Sequence, residues 1–149
     1  MANKRVSNSV DELRLEVVAG DNDVGVDPHK KTLTATVLGG RGGTVAAASF
    51  KVSGVGHRAL VDWATGFGPV RRWGIEGASG LGRHTAIFLI ERGYDVRDVC
   101  PTRTAEQSRK RRQGKSDALD SLRIARETQA DPDLPRAFKR AAGDAGPDE

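Results

Sequence analysis

The chain has 149 residues, of which 37% are hydrophobic and 30% charged, with a formal net charge of +4. That is room for one domain with a single core, and no apolar stretch approaches the roughly 18 residues that would span a membrane. Cys100 is the only cysteine, which excludes an internal disulfide and fits a reducing, cytoplasmic setting.

The first 22 residues, "MANKRVSNSVDELRLEVVAGDN", are polar and keep no sustained period, so they read as a flexible segment. They hold no apolar run behind the basic residues and so no signal peptide. "DVGVDPHK" (23–30) predicts a first strand that ends near Asp27, because Pro28 cannot donate to a ladder. "TLTATVLGG" (32–40) and "TVAAASFKV" (44–52) are the second and third strands, and the turn "RGG" (41–43) joins them. Such short links make an antiparallel meander. "SGVGHRALVDWATGFG" (53–68) changes to a helical period, with Val55, Ala59, Leu60, Trp63 and Ala64 on one face. "VRRWGIEGA" (70–78) is a fourth strand. "SGLGRHTAIFLIERGYD" (79–95) is helical, with Leu81, Thr85, Phe88 and Leu89 inward and Gly93 as its stop. "YDVRDVCP" (94–101) is a fifth strand halted by Pro101. "TRTAEQSRKRRQG" (102–114) is a helix that gives way near Gly114. Ser116 then caps a last helix, "DALDSLRIARETQA" (117–130). Pro132 and Pro135 end the ordered region, which leaves 131–149 as a polar tail, the start of a linker.

The order β-β-β-α-β-α-β-α-α predicts one α/β domain over 23–130, a five-stranded mixed sheet with helices on its faces. It is the order of the ribonuclease H-like superfold. In such a sheet the first strand is central and the fourth lies parallel beside it. Asp27 and Glu76 then end those two strands, where an open α/β sheet has its crevice. Acids are depleted in strands, so each needs a reason to be there. Asp27 before Pro28 can begin a turn, and Glu76 can open a loop. Their matching positions favour a shared site. Asp117 and Asp120 stand three apart and share one helix face, although acids in a first turn also suit the helix dipole. Four gathered carboxylates repel one another unless a cation neutralises them. Two hard divalent ions about 4 Å apart on such oxygens serve phosphoryl transfer.

Segment 103–115, "RTAEQSRKRRQGK", holds Arg103, Arg109, Lys110, Arg111, Arg112 and Lys115 against Glu106, a local excess of five positive charges. Such a run either attracts polyanions or forms a solvated helix face. His29 and Lys30, just after Asp27, are further candidate nucleic-acid contacts; His29 could touch phosphate or metal, and reads equally well as an exposed turn residue. "GASGLG" (77–82) does not have the G-x-G-x-x-G order of a dinucleotide fingerprint, so its glycines are read as letting the backbone pass close to Glu76 and to DNA. His57 and His84 read as ordinary helix residues, and Trp63 and Trp73 as core rather than base-stacking platforms.

"VGVDPHKKTLTATVL", "WGIEGASGLG" and "RKRRQGKSDALDSLRIAR" resemble the N-terminal domain of the insertion sequence 110 type DEDD transposases, a domain similar to the RuvC resolvase. The likeness runs from about residue 23 to about 140. It implies Asp27, Glu76, Asp117 and Asp120 as the catalytic and metal-holding set, with magnesium or manganese as cofactor. It implies DNA transposition and recombination, with insertion-sequence ends and branched junctions as substrates. A structured guide RNA and a homo-oligomer at full length come with it. The family also carries a C-terminal domain with a nucleophilic serine, and this chain ends at Glu149, before such a domain. It is therefore read as a truncated product, a fragment or half of a split enzyme. Two other classes compete: a catalytically incomplete nucleic-acid-binding remnant, and an actin-like ATPase, whose first hairpin starts with a similar apolar-Gly-apolar-Asp pattern. No second glycine-rich phosphate loop supports the ATPase.

Overall fold

β-Branched residues at alternate positions fill the first two strands, and these become the middle of a sheet. A computed structural model describes residues 21–101 and 117–138. The predicted helix over 102–114, the side chain of Asp117 and both termini lie outside the described residues. β1 (Asn22–Pro28), β2 (Thr32–Leu38) and β3 (Thr44–Lys51) are followed by α1 (Gly54–Thr65), β4 (Val70–Glu76), α2 (Arg83–Glu91), β5 (Val96–Val99) and α3 (Asp117–Ala130). The sheet order is β3-β2-β1-β4-β5. β1 pairs antiparallel with β2 and β2 with β3, whereas β4 runs parallel to both β1 and β5. A meander followed by two parallel strands, with helices on both sides, is the ribonuclease H-like fold predicted above.

The two sheet faces differ in chemistry because side chains alternate along a strand. Val24, Val26, Leu33, Ala35, Val37, Trp73 and Ile75 form the apolar face, and Leu60 and Ala64 of α1 and Ala86 and Leu89 of α2 close over it. The opposite face carries Gly25, Thr36 and Gly74 side by side across β1, β2 and β4. α3 lies on this face, with Ser121, Ile124, Ala125 and Thr128 buried at helical spacing. Only glycines let it come so close. A Cβ on Gly25 would sit 2.2 Å from the Ala125 backbone nitrogen, and one on Gly74 would sit 1.7 Å from Thr128 Oγ1. Thr36 and Ser121 share a buried hydroxyl–hydroxyl bond of 2.6 Å across this contact.

The structure departs from the sequence reading in three places. Val55, expected on the inner face of α1, is 70% exposed, and Ala59 is exposed too. Gly56, His57, Leu60 and Ala64 face inward instead, because the helix start presses on the end of β3, where a Cβ on Gly56 would meet the Lys51 carbonyl oxygen. Leu81 is 59% exposed rather than inward, because residues 77–82 fold around the Gly77 carbonyl and α2 starts only at Arg83. Past Pro132 the chain keeps its pairing: Asp98 N donates to Pro135 O and Ala137 N to Val96 O, so this segment covers the free edge of β5. Trp73 is fully buried in the core, whereas Trp63 is partly buried against it, between Phe50 and the exposed Phe67.

Candidate active site

Strand pairing builds the site. Val26 of β1 is the partner of Ile75 of β4, so the next residues, Asp27 and Glu76, stand side by side where both strands end. Both belong to the α3 face, since Gly25 and Gly74, two residues earlier, also do. Asp27 is 4% and Glu76 6% exposed. They line a crevice of about 280 Å3 together with His29, Gly77, Leu81 and Pro101. His29 Nε2 lies 3.2 Å from Asp27 Oδ2, an ion pair when the ring is protonated. After Glu76 the chain turns at once. Gly77 takes φ +65, which a side chain would resist, and the Gly80 and Gly82 amides donate back to its carbonyl.

α3 aims its N-terminal end at these acids. Gln129 bonds Asp23 at the start of β1, whereas Arg123 reaches Glu76 at the end of β4, so the helix runs opposite to both strands. Arg123 Nη2 donates to Glu76 Oε2 at 2.5 Å and Nη1 donates to Glu127 Oε2 at 2.8 Å. Burial works against its charge, yet the bonds and charges of Glu76 and Glu127 outweigh burial and raise its pKa above the usual guanidinium value. Asp120 is half-buried three residues nearer the helix N-terminus, toward the same end of the sheet. Lys30 is exposed in the β1–β2 link, also at this end. Arg103, Arg109, Lys110, Arg111, Arg112 and Lys115 lie outside the described residues.

Arg123 was legible only as a charge near the acids. Its reach to Glu76 is a tertiary fact that no spacing displays. Asp23, four residues before Asp27, carries no sequence signal of its own, although it is fully buried. Arg71 grips it through Nε and Nη2, at 3.2 and 2.8 Å, and Gln129 adds a third bond. Asp23 is thus a structural carboxylate. A larger hollow, about 420 Å3, lies between α1 and α2 beside His57, His84 and Phe88. His57 there is a packing residue. Its Nε2 lies 2.8 Å from Thr85 Oγ1, and burial, then His84, lower its pKa below the usual imidazole value.

The family model for IS110-type DEDD transposases, described as "Transposase", matches residues 24–144. The chain belongs to this family. Among solved structures, this transposase domain is similar to RuvC of T. thermophilus in complex with a Holliday junction substrate, at 14% identity over 70% of this chain and 89% of that one, with a TM-score of 0.46. It is also similar to a second Thermus thermophilus RuvC structure, at 17% identity over 70% and 90% of the two chains, with a TM-score of 0.47. No protein of curated function matches it.

The transposase domain brings two of its four candidate acids, Asp27 and Glu76, to one crevice. Among the described residues, no three of His, Cys, Asp and Glu gather closely enough to hold a metal ion. Two adjacent carboxylates still suit magnesium, which takes hard oxygen donors, often one or two carboxylates with the rest water. The donor chemistry therefore fits a hydrated divalent cation at Asp27 and Glu76.

Proposed function

We propose that this domain engages DNA at the carboxyl ends of β1 and β4 and takes part there in metal-dependent strand cleavage and transfer during transposition. The observation that carries the reading is the pair of buried carboxylates, Asp27 and Glu76, side by side on neighbouring parallel strands and facing one open crevice. Family membership supports it. Asp27, Glu76, Asp117 and Asp120 are the acids that would hold magnesium or manganese. Such an ion supplies charge neutralisation for a phosphate and activation of an attacking oxygen.

The chain's own residues do the rest. Asp27 and Glu76 fix where the cation sits, because both are set on paired strands rather than on loops. The exposed link after β1, with Lys30 and Lys31, offers cations to a backbone that lies across the crevice. The basic run 103–115 supplies the larger, sequence-independent attraction. On this reading the partners are insertion-sequence ends and branched junctions, a structured guide RNA and further copies of the chain, in the cytoplasm.

A calorimetric manganese titration of the chain beside Glu76→Gln tests the reading. Wild type should bind and the variant should bind at least about tenfold more weakly, because it loses one of the anchoring carboxylates. Binding that ignores Glu76→Gln would move the metal elsewhere and sink the assignment.

A further inference from the structure

Glu76 has a cationic partner in the described structure, and that partner is built into the fold. Arg123 sits on the α3 surface turned toward β4, and its guanidinium is split between two carboxylates, Glu76 at 2.5 Å and Glu127 at 2.8 Å. Glu76 is almost fully buried, and such a carboxylate beside Asp27 needs a compensating charge. Any divalent cation that takes Glu76 as a ligand must share it with Arg123 or displace it. The second partner matters here. Glu127 lies i+4 on the same helix and is partly exposed, so it can keep Arg123 when Glu76 turns to a metal.

We propose that Arg123 is a resident counter-ion: it holds Glu76 while the metal is absent and passes it on when a divalent cation binds, retreating onto Glu127. This rests on the metal-site reading above. It makes Arg123 a positioning residue that competes with the metal rather than a group that contacts DNA. Linkage makes the competition reciprocal, because the factor by which metal weakens the Arg123–Glu76 pair is the factor by which that pair weakens metal binding.

The test is manganese calorimetry and metal-free thermal melting on the full chain, for wild type, Arg123→Gln, Arg123→Lys and Glu76→Gln. Arg123→Gln should bind manganese at least about fivefold tighter than wild type, the lower end of ordinary coupling between sites. Its metal-free melting temperature should fall, and saturating manganese should recover most of the loss. Arg123→Lys keeps the charge but lacks the two-pronged fork, so it should also bind more tightly, by a smaller factor. If Arg123→Gln does not fold, the lysine variant carries the test. Manganese binding that is unchanged or weaker in the folded arginine variants, while Glu76→Gln still loses it, overturns the competition and leaves the metal site standing. A wild type that binds no manganese overturns both.

Discussion

Asp23 and Asp27 lie on the same strand and the same face, and both are buried, yet the fold treats them oppositely. Asp23 meets a two-pronged Arg71 and an amide from Gln129. Asp27 has His29 Nε2 at 3.2 Å and shares its crevice with a second carboxylate, Glu76. A buried acid held by a guanidinium stabilises the native state, whereas two adjacent acids strain it. Asp23→Asn should therefore cost about 1–3 kcal/mol, the range for breaking buried bonds to a charged group. Asp27→Asn should cost less than Asp23→Asn in metal-free buffer, because it also removes repulsion between Asp27 and the Glu76 carboxylate in the same crevice. Urea denaturation of both variants reads the difference. A larger loss for Asp27→Asn than for Asp23→Asn would mean that Asp27 belongs to the scaffold and not to the site.

α3 against the sheet is the contact that brings the helix to the acids, and two glycines permit it. The obstacles they avoid are different. A Cβ at position 25 would strike the Ala125 backbone and the Ser121 carbonyl, which cannot move without moving the helix. A Cβ at position 74 would strike only the Thr128 side chain. Gly25→Ala should destabilise by more than about 3 kcal/mol, beyond ordinary overpacking, with no single-residue cure. Gly74→Ala should be partly rescued by Thr128→Ala, a coupling of about 1 kcal/mol or more in a double-mutant cycle followed by urea denaturation. Strict additivity at that pair would show that α3 sits farther from β4 than described. None of this geometry could be read from the sequence, where Gly25 and Gly74 look like weak points in strands. Local patterns were enough for the strands themselves, because β-branched runs and the glycine turns bound them. Patterns were not enough for the inner face of α1, which is turned by the backbone of Lys51, nor for the pairing of Pro135 and Ala137 with β5, which has no periodicity to announce it. Asp27 and Glu76 were visible because an acid at a strand end violates propensity, and Arg123 was not, because an arginine on a helix violates nothing.

For the whole domain, charge is divided by place. The crevice wall carries buried acids, and the sequence that leads into α3 carries the cations. The run 103–115 ends two residues before Asp117, and α3 directs its N-terminal end to the acid side of the sheet. On the proposed function, attraction and chemistry fall to different residues, and they should separate in experiment. Five net positive charges in that run, if each neutralises one phosphate, give a slope of roughly −4 to −5 for log affinity against log salt on duplex DNA. Fluorescence anisotropy with a labelled duplex in potassium chloride without divalent metal measures it. Arg111→Ala with Arg112→Ala should flatten the slope by about 2, while Glu76→Gln should leave it unchanged, because each lost phosphate contact removes nearly one unit and Glu76 provides none. A shallow slope in wild type, near −1, would mean that the run is a solvated surface, and the affinity for DNA would then have to come from the crevice itself.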